Sequence, residues 1–207
     1  GLRLTLLLAL PAAVGLGVLS MPLTSTLFQH GRFTAVDAEK TAQALSMYSI
    51  GLVGLISIKI LASAYYAKQD ILTPVLIGIG VLVSTQLMNV VFVPYLQHAG
   101  LSLSISLGAC LNAATLVFLL GRRGVLGAWQ PWLRFIGKVL VAVFVMGWVA
   151  YFASRQIDWL SMSHGISSLL QRAGWLLLII TVSAVCYFVV LFALGFRMRD
   201  FRLVSHA

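Results

Sequence analysis

Acidic side chains are the scarcest chemistry in this chain. Of 207 residues, five are Asp or Glu, and all charged residues together make 9%. A soluble domain carries roughly 25% charged residues, so a water-soluble globular fold is excluded. Paired carboxylates for acid–base hydrolysis are missing too, since no Asp or Glu falls inside an apolar run. Only two cysteines occur, Cys110 and Cys186, both within apolar stretches, so a disulfide framework is not expected. The four histidines, His30, His98, His164 and His206, lie between or after those stretches without metal-ligand spacing. No GxxxxGK[ST] phosphate loop and no GxSxG elbow is present. No cofactor or metal is called for, and the chain does not read as an enzyme.

What remains is apolar. Hydrophobic residues make 60% of the chain, and the mean hydropathy is +1.01. A helix needs about 20 apolar residues to cross a bilayer. Six segments qualify, at about 4–28, 41–66, 73–96, 101–121, 133–153 and 173–196. Each is read as a helix, because an open sheet edge leaves unpaired backbone in lipid. The expected fold is therefore all-α, a polytopic transmembrane helix bundle of six spans. Gly1 leads almost directly into the first span, without an initiator Met or a signal-peptide pattern, so the expectation is a segment of a longer protein.

The formal charge of +9 comes from 14 basic residues. In a soluble protein that excess suggests nucleic acid; here it is read as membrane topology, with no nucleic-acid partner. With the N-terminus in the cytoplasm, nine basic residues fall inside: Arg3, Lys68, Arg122, Arg123, Arg134, Lys138, Arg197, Arg199 and Arg202. Four fall outside: Arg32, Lys40, Arg155 and Arg172. The positive-inside rule thus places both ends in the cytoplasm. Trp129, Trp132, Trp159 and Trp175 sit near span ends, as an aromatic belt requires.

The second span has a polar entry. Thr34-Ala35-Val36-Asp37 fits a capping box. A helix from Ala35 to Ala67 measures about 50 Å at 1.5 Å per residue. That exceeds a hydrocarbon core of roughly 30 Å. Either its first turns stand outside the membrane, which the polar residues 37–43 favour, or it bends near Gly51 and Gly54. A kink in the first span is expected at Pro11, with Gly15 and Gly17 nearby.

Lys59 is the residue that calls for a function. It lies nine residues before Lys68, well inside the second span. A charge there costs at least ~2.5 kcal/mol on insertion scales. Its helical neighbours include Ser63 and Tyr66, with Gly51 two turns back. That small, partly polar face suits a cavity holding an anionic ligand; pairing with an acid elsewhere is the other reading. Asn89 and Gln86 on the third span, like Asn112, Ser104 and Ser106 on the fourth, could line a pore or serve as interhelical hydrogen-bond glue. The residues alone favour transport over catalysis and name no substrate.

Longer stretches carry more. "LFQHGRFTAVDAEKTAQAL", "YSIGLVGLISIKILASAYYAKQDILTPV", "TQLMNVVFVPYLQHAGLSLSISLGACLNA" and the closing "ALGFRMRDF" together resemble the MurJ/MviN family of lipid II flippases, especially its Gram-negative members. The resemblance implies the last six helices of a fourteen-helix fold in the multidrug/oligosaccharidyl-lipid/polysaccharide exporter superfamily. Residues 1–121 would be four helices of the C-terminal transport lobe. Residues 122–207 would add two helices, around Val139–Tyr151 and Leu176–Leu194, that form a groove for the lipid tail, and a cytoplasmic tail.

The implied activity is inner-to-outer leaflet transfer of the undecaprenyl-pyrophosphate-linked peptidoglycan precursor by alternating access, in the bacterial inner membrane. The implied partners are that precursor, membrane lipids and the N-terminal lobe of the same protein. Cavity residues would be Lys59, Ser63, Tyr66 and Gly51. Some members bind a cation; Asn89 matches one ligand position, while Val93 stands where an acidic partner is expected. Export of drugs or O-antigen lipids by a related transporter, and a non-transporting scaffold of cell-wall synthesis, are the alternatives.

Overall fold

The computed structural model describes residues 2–28, 33–122, 129–157, 159 and 166–195. Seven α-helices and no strand occur among them: α1 (Leu2–Val18), α2 (Ser20–Phe28), α3 (Ala35–Ala67), α4 (Leu72–Leu96), α5 (His98–Arg122), α6 (Trp129–Arg155) and α7 (Ile166–Ala193). Five helices are long and apolar enough to span a membrane, and the bent pair α1–α2 brings the number to six. The chain is a multi-pass membrane protein. Arg32, Arg123, Arg197, Arg199 and Arg202 lie outside the described residues.

The expected single span at 4–28 is the main correction. It is two helices bent by 70°, and the break falls at Leu19, not at Pro11. Proline removes an N–H and crowds the carbonyl four residues back. For Pro22 that carbonyl belongs to Val18, where α1 ends. For Pro11 it belongs to Leu7, yet α1 continues through Pro11. The Tyr187 hydroxyl of α7 donates to the Leu7 carbonyl at 2.7 Å. A tyrosine from another helix replaces the bond that proline removes.

Tyr187→Phe is therefore expected to lose about 1 kcal/mol of stability. In a Pro11→Ala background the restored N–H should make the same change nearly silent. Unfolding in detergent, run as a double-mutant cycle, checks this; equal losses in both backgrounds would contradict it.

The capping box forms as expected. The Thr34 amide and hydroxyl donate to the Asp37 carboxylate at 3.0 and 2.7 Å, and Thr34 Oγ1 accepts from the Asp37 amide. These bonds, the side-chain one foremost, hold the Asp37 carboxyl below its usual range. From this cap α3 runs unbroken for 33 residues. Neither Gly51 nor Gly54 interrupts it.

The helices pack in the spatial order α4, α5, α3, α1, α6, α7, with α2 lying on α3 and α7. One apolar cluster joins α1 to α6 and α7 through Leu7, Val139, Val143, Met146, Tyr187 and Leu191. A second gathers Leu19, Ala150, Leu176 and Ile179 around Trp159. Trp159 is thus a core residue, not a belt residue, and its indole N–H donates to the Ser154 carbonyl at 2.9 Å. A third cluster, with Leu61, Tyr65, Ala113, Leu116 and Leu120, locks α3 to α5. Arg172 of α7 is 3% exposed and donates to the Ser25 carbonyl in the last turns of α2 at 3.4 Å. A cation there meets the negative end of the α2 dipole and ties the bent helix to α7.

Candidate functional site

Between lipid-solvated helices hydrophobicity supplies little attraction, so close van der Waals contact and hydrogen bonds must hold them. The seam between α3 and α5 is built this way. Gly51 abuts Ser106, and a Cβ on Gly51 would lie 2.7 Å from the Ser106 Cβ. A Cβ on Gly54 would lie 2.8 Å from backbone atoms of Ala109 and Cys110. Ser106 donates to the Tyr48 carbonyl at 3.2 Å, and Tyr65 to the Leu116 carbonyl at 3.0 Å. These contacts advance together along both chains, so α3 and α5 run parallel.

Lys59 points away from that seam. It is exposed and has no ion-pair or hydrogen-bond partner among the described residues. Ser63 and Tyr66, one and two turns on, are exposed on the same side, and Tyr66 is 52% accessible. Ser63 returns its hydroxyl proton to the Ile60 carbonyl at 2.8 Å, which leaves its oxygen able to accept. Gly51 does not join this face. Eight residues from Lys59 is about 80° around a helix, and Gly51 is buried against α5. The open face thus presents one ammonium group between small and aromatic neighbours.

Asn89 lies on α4, half-buried. Its Nδ2 faces Gln86 Oε1 at 3.4 Å, and its Oδ1 is buried without a partner among the described residues. α4 has no buried residue and rests on α5 through Thr85 against Gly108 and Phe92 against Gly100. Asn112 of α5 likewise has a buried, unpartnered Oδ1.

The second feature is an apolar groove of about 330 Å³ between α1, α2, α6 and α7. Leu8, Pro11, Gly15, Leu16, Leu19 and Leu23 form one wall, and Met146, Ala150, Ile180, Ala184, Tyr187 and Phe188 the other. Ser183 is its buried polar point, 4% exposed. Its size falls among small-ligand clefts, roughly 300–1,000 Å³. The sequence reading reaches the α6 and α7 wall but not the α1 and α2 wall. The missed signal is Pro22: by breaking the first span it swings Leu23 over the end of the groove. Pro11 and Gly15 leave space along the wall, and a Cβ on Gly15 would meet no atom within 4 Å.

Residues 1–170 match the family model described as "Lipid II flippase MurJ". The chain is 45% identical over 202 residues to the lipid II flippase MurJ of Burkholderia cenocepacia, covering 98% of this chain and 39% of that relative. It is 36% identical over 206 residues to the probable lipid II flippase MurJ of Vibrio cholerae, covering 99% and 38%. The chain thus spans about two fifths of the length of these relatives. A solved structure titled "Lipid II flippase MurJ, inward closed conformation" superposes with a TM-score of 0.71 at 21% identity, covering 91% of this chain and 36% of that one. At that identity the likeness shows the fold.

Proposed function

Because this chain belongs to the lipid II flippase MurJ family, we propose that it is the C-terminal part of a flippase. The whole protein carries the undecaprenyl-pyrophosphate-linked peptidoglycan precursor from the inner to the outer leaflet by alternating access. It is a transporter and catalyses no bond making or breaking. Residues 1–121 form the C-terminal transport lobe and residues 122–207 the lipid-tail helices, with both ends in the cytoplasm of an inner-membrane protein. The nine-to-four distribution of basic residues supports that direction.

The observation that carries the reading is Lys59, an exposed ammonium within an apolar span and without a partner among the described residues. Facing the N-terminal lobe across a cavity, it attracts the pyrophosphate. A partly desolvated charge does so more strongly than one in bulk water, because the effective dielectric falls. Ser63 and Tyr66 line the same wall. The groove between α1, α2, α6 and α7 takes the polyprenyl tail, for which its apolar lining is suited. Head and tail are then held by opposite chemistries on one polypeptide.

The full-length protein is expected to restore growth, and outer-leaflet exposure of the precursor, in bacteria depleted of their own flippase. A protein that reaches the membrane in normal amount and leaves the precursor in the inner leaflet would overturn the assignment. Drug efflux without rescue would point to a related exporter.

A further inference from the structure

α5 carries two packing stripes. Ser106, Ala109, Ala113 and Leu116 face α3, while Gly100 and Gly108 face α4. At about 100° per residue, Asn112 falls between the stripes, on the side of exposed Leu101 and Ile105. The register in which Gly51 meets Ser106 and Gly54 meets Ala109 brings Asn112 level with Ser57, beside Lys59. With α3 and α5 parallel, the same helical phase projects Lys59 and Tyr66 to that side too. Asn112 makes no hydrogen bond among the described residues, and the oxygen of its carboxamide is buried. With that oxygen, an acceptor, turned inward, only the nitrogen end of the carboxamide can meet a ligand. The amide nitrogen is neither buried nor bonded among the described residues, and is free to donate.

We propose that Asn112 is a second anion-binding residue of the open face, its carboxamide N–H donating to an oxygen of the diphosphate whose charge Lys59 meets. The inference rests on the reading of Lys59 as a cavity cation. It adds to a point charge a directional donor from a different helix. Two helices held in fixed register by a glycine seam then grip one anion, and any shift of α5 against α3 loosens that grip.

Three probes test this on the full-length protein in detergent: polyprenyl diphosphate, inorganic pyrophosphate and polyprenol. Asn112→Leu, which keeps the branched shape and removes the amide, is expected to weaken both diphosphate-bearing probes about tenfold, the loss of one hydrogen bond to a charged group, and to leave polyprenol unchanged. Asn112→Asp should weaken them further through like-charge repulsion. Combining Asn112→Leu with Lys59→Ala should give less than the product of the two losses, because both residues serve one anion. Unchanged diphosphate affinity in both Asn112 variants, or an equal loss on all three probes, overturns the proposal. If the wild-type protein binds neither diphosphate-bearing probe, the reading of Lys59 has failed instead. Tighter binding of the lipid-borne diphosphate assigns the site to a lipid headgroup, and tighter binding of inorganic pyrophosphate to a free anion; Asn112 keeps its role in both.

Discussion

Lys59→Ala in the full-length protein is expected to lower precursor translocation by about 10- to 100-fold, with membrane yield unchanged. The range corresponds to one charge-assisted contact of roughly 1.5–3 kcal/mol. Yield should hold because Lys59 is exposed and pairs with nothing among the described residues. Removing it leaves no orphaned partner and relieves an insertion penalty of at least ~2.5 kcal/mol. The variant should therefore be no less stable than the parent, while being less active. That opposition separates a functional lysine from a structural one. Lys59→Arg keeps the charge and should retain most activity; Lys59→Glu should be worse than alanine, because it repels the anion. The measurement is outer-leaflet exposure of labelled precursor, normalised to protein in the membrane. Wild-type exposure in Lys59→Ala would remove the lysine from the mechanism.

Gly54→Leu is expected to be the most damaging change in the α3–α5 seam, destabilising the bundle by about 3 kcal/mol, the upper end of typical overpacking losses. The obstacle is backbone. A Cβ at position 54 lies 2.8 Å from the Ala109 carbonyl carbon and from the Cys110 nitrogen, and neither can rotate away. Gly51→Ala meets the Ser106 Cα and should behave similarly. Gly78→Ala and Gly80→Ala on α4 are the controls. A Cβ at either meets nothing within 4 Å, and alanine favours a helix by up to about 1 kcal/mol over glycine. Thermal or chemical unfolding in detergent reads all four. Equal effects at Gly54 and Gly80 would show that the seam is not what holds α5 to α3. The loss at Gly54 should also reduce transport, because Lys59 and Asn112 sit on the two helices that the seam aligns.

The boundaries of α4 and α5 and the unbroken α3 were legible because each depends on a local pattern. Runs of apolar residues lie between Asp70 and Gln97 and between His98 and Arg122, and Thr34 caps α3 through a residue three positions away. Pro11 and Pro22 look alike in sequence, and local reasoning chose the wrong one as the site of the bend. Their difference lies in Tyr187, 180 positions away from Leu7, which supplies one proline's missing bond. Trp159 was assigned to the interface by its place near a span end, yet it closes a core made by Leu19, Ala150 and Leu176. Gly51 was grouped with Lys59 by its two-turn spacing, and the 3.6-residue period carries it around to α5.

The sequence by itself determined the solvent of this protein and its most expensive residue. Low charge and long apolar runs require a bilayer whatever the fold, and a lysine inside such a run requires a reason whatever surrounds it. The long family-specific stretches supplied a candidate reason. Only the tertiary structure decided which side of α3 Lys59 occupies, exposed and away from α5. Which side of a helix is open depends on where its neighbours lie, and that depends on two glycines of α3 fitting the backbone of α5. The apolar groove was likewise beyond local reading, since its walls come from α1 and α2 at one end of the chain and α6 and α7 at the other. In a membrane, hydrophobicity places segments in lipid without pairing them. Steric fit between small residues does the pairing, and steric fit is a property of two surfaces together.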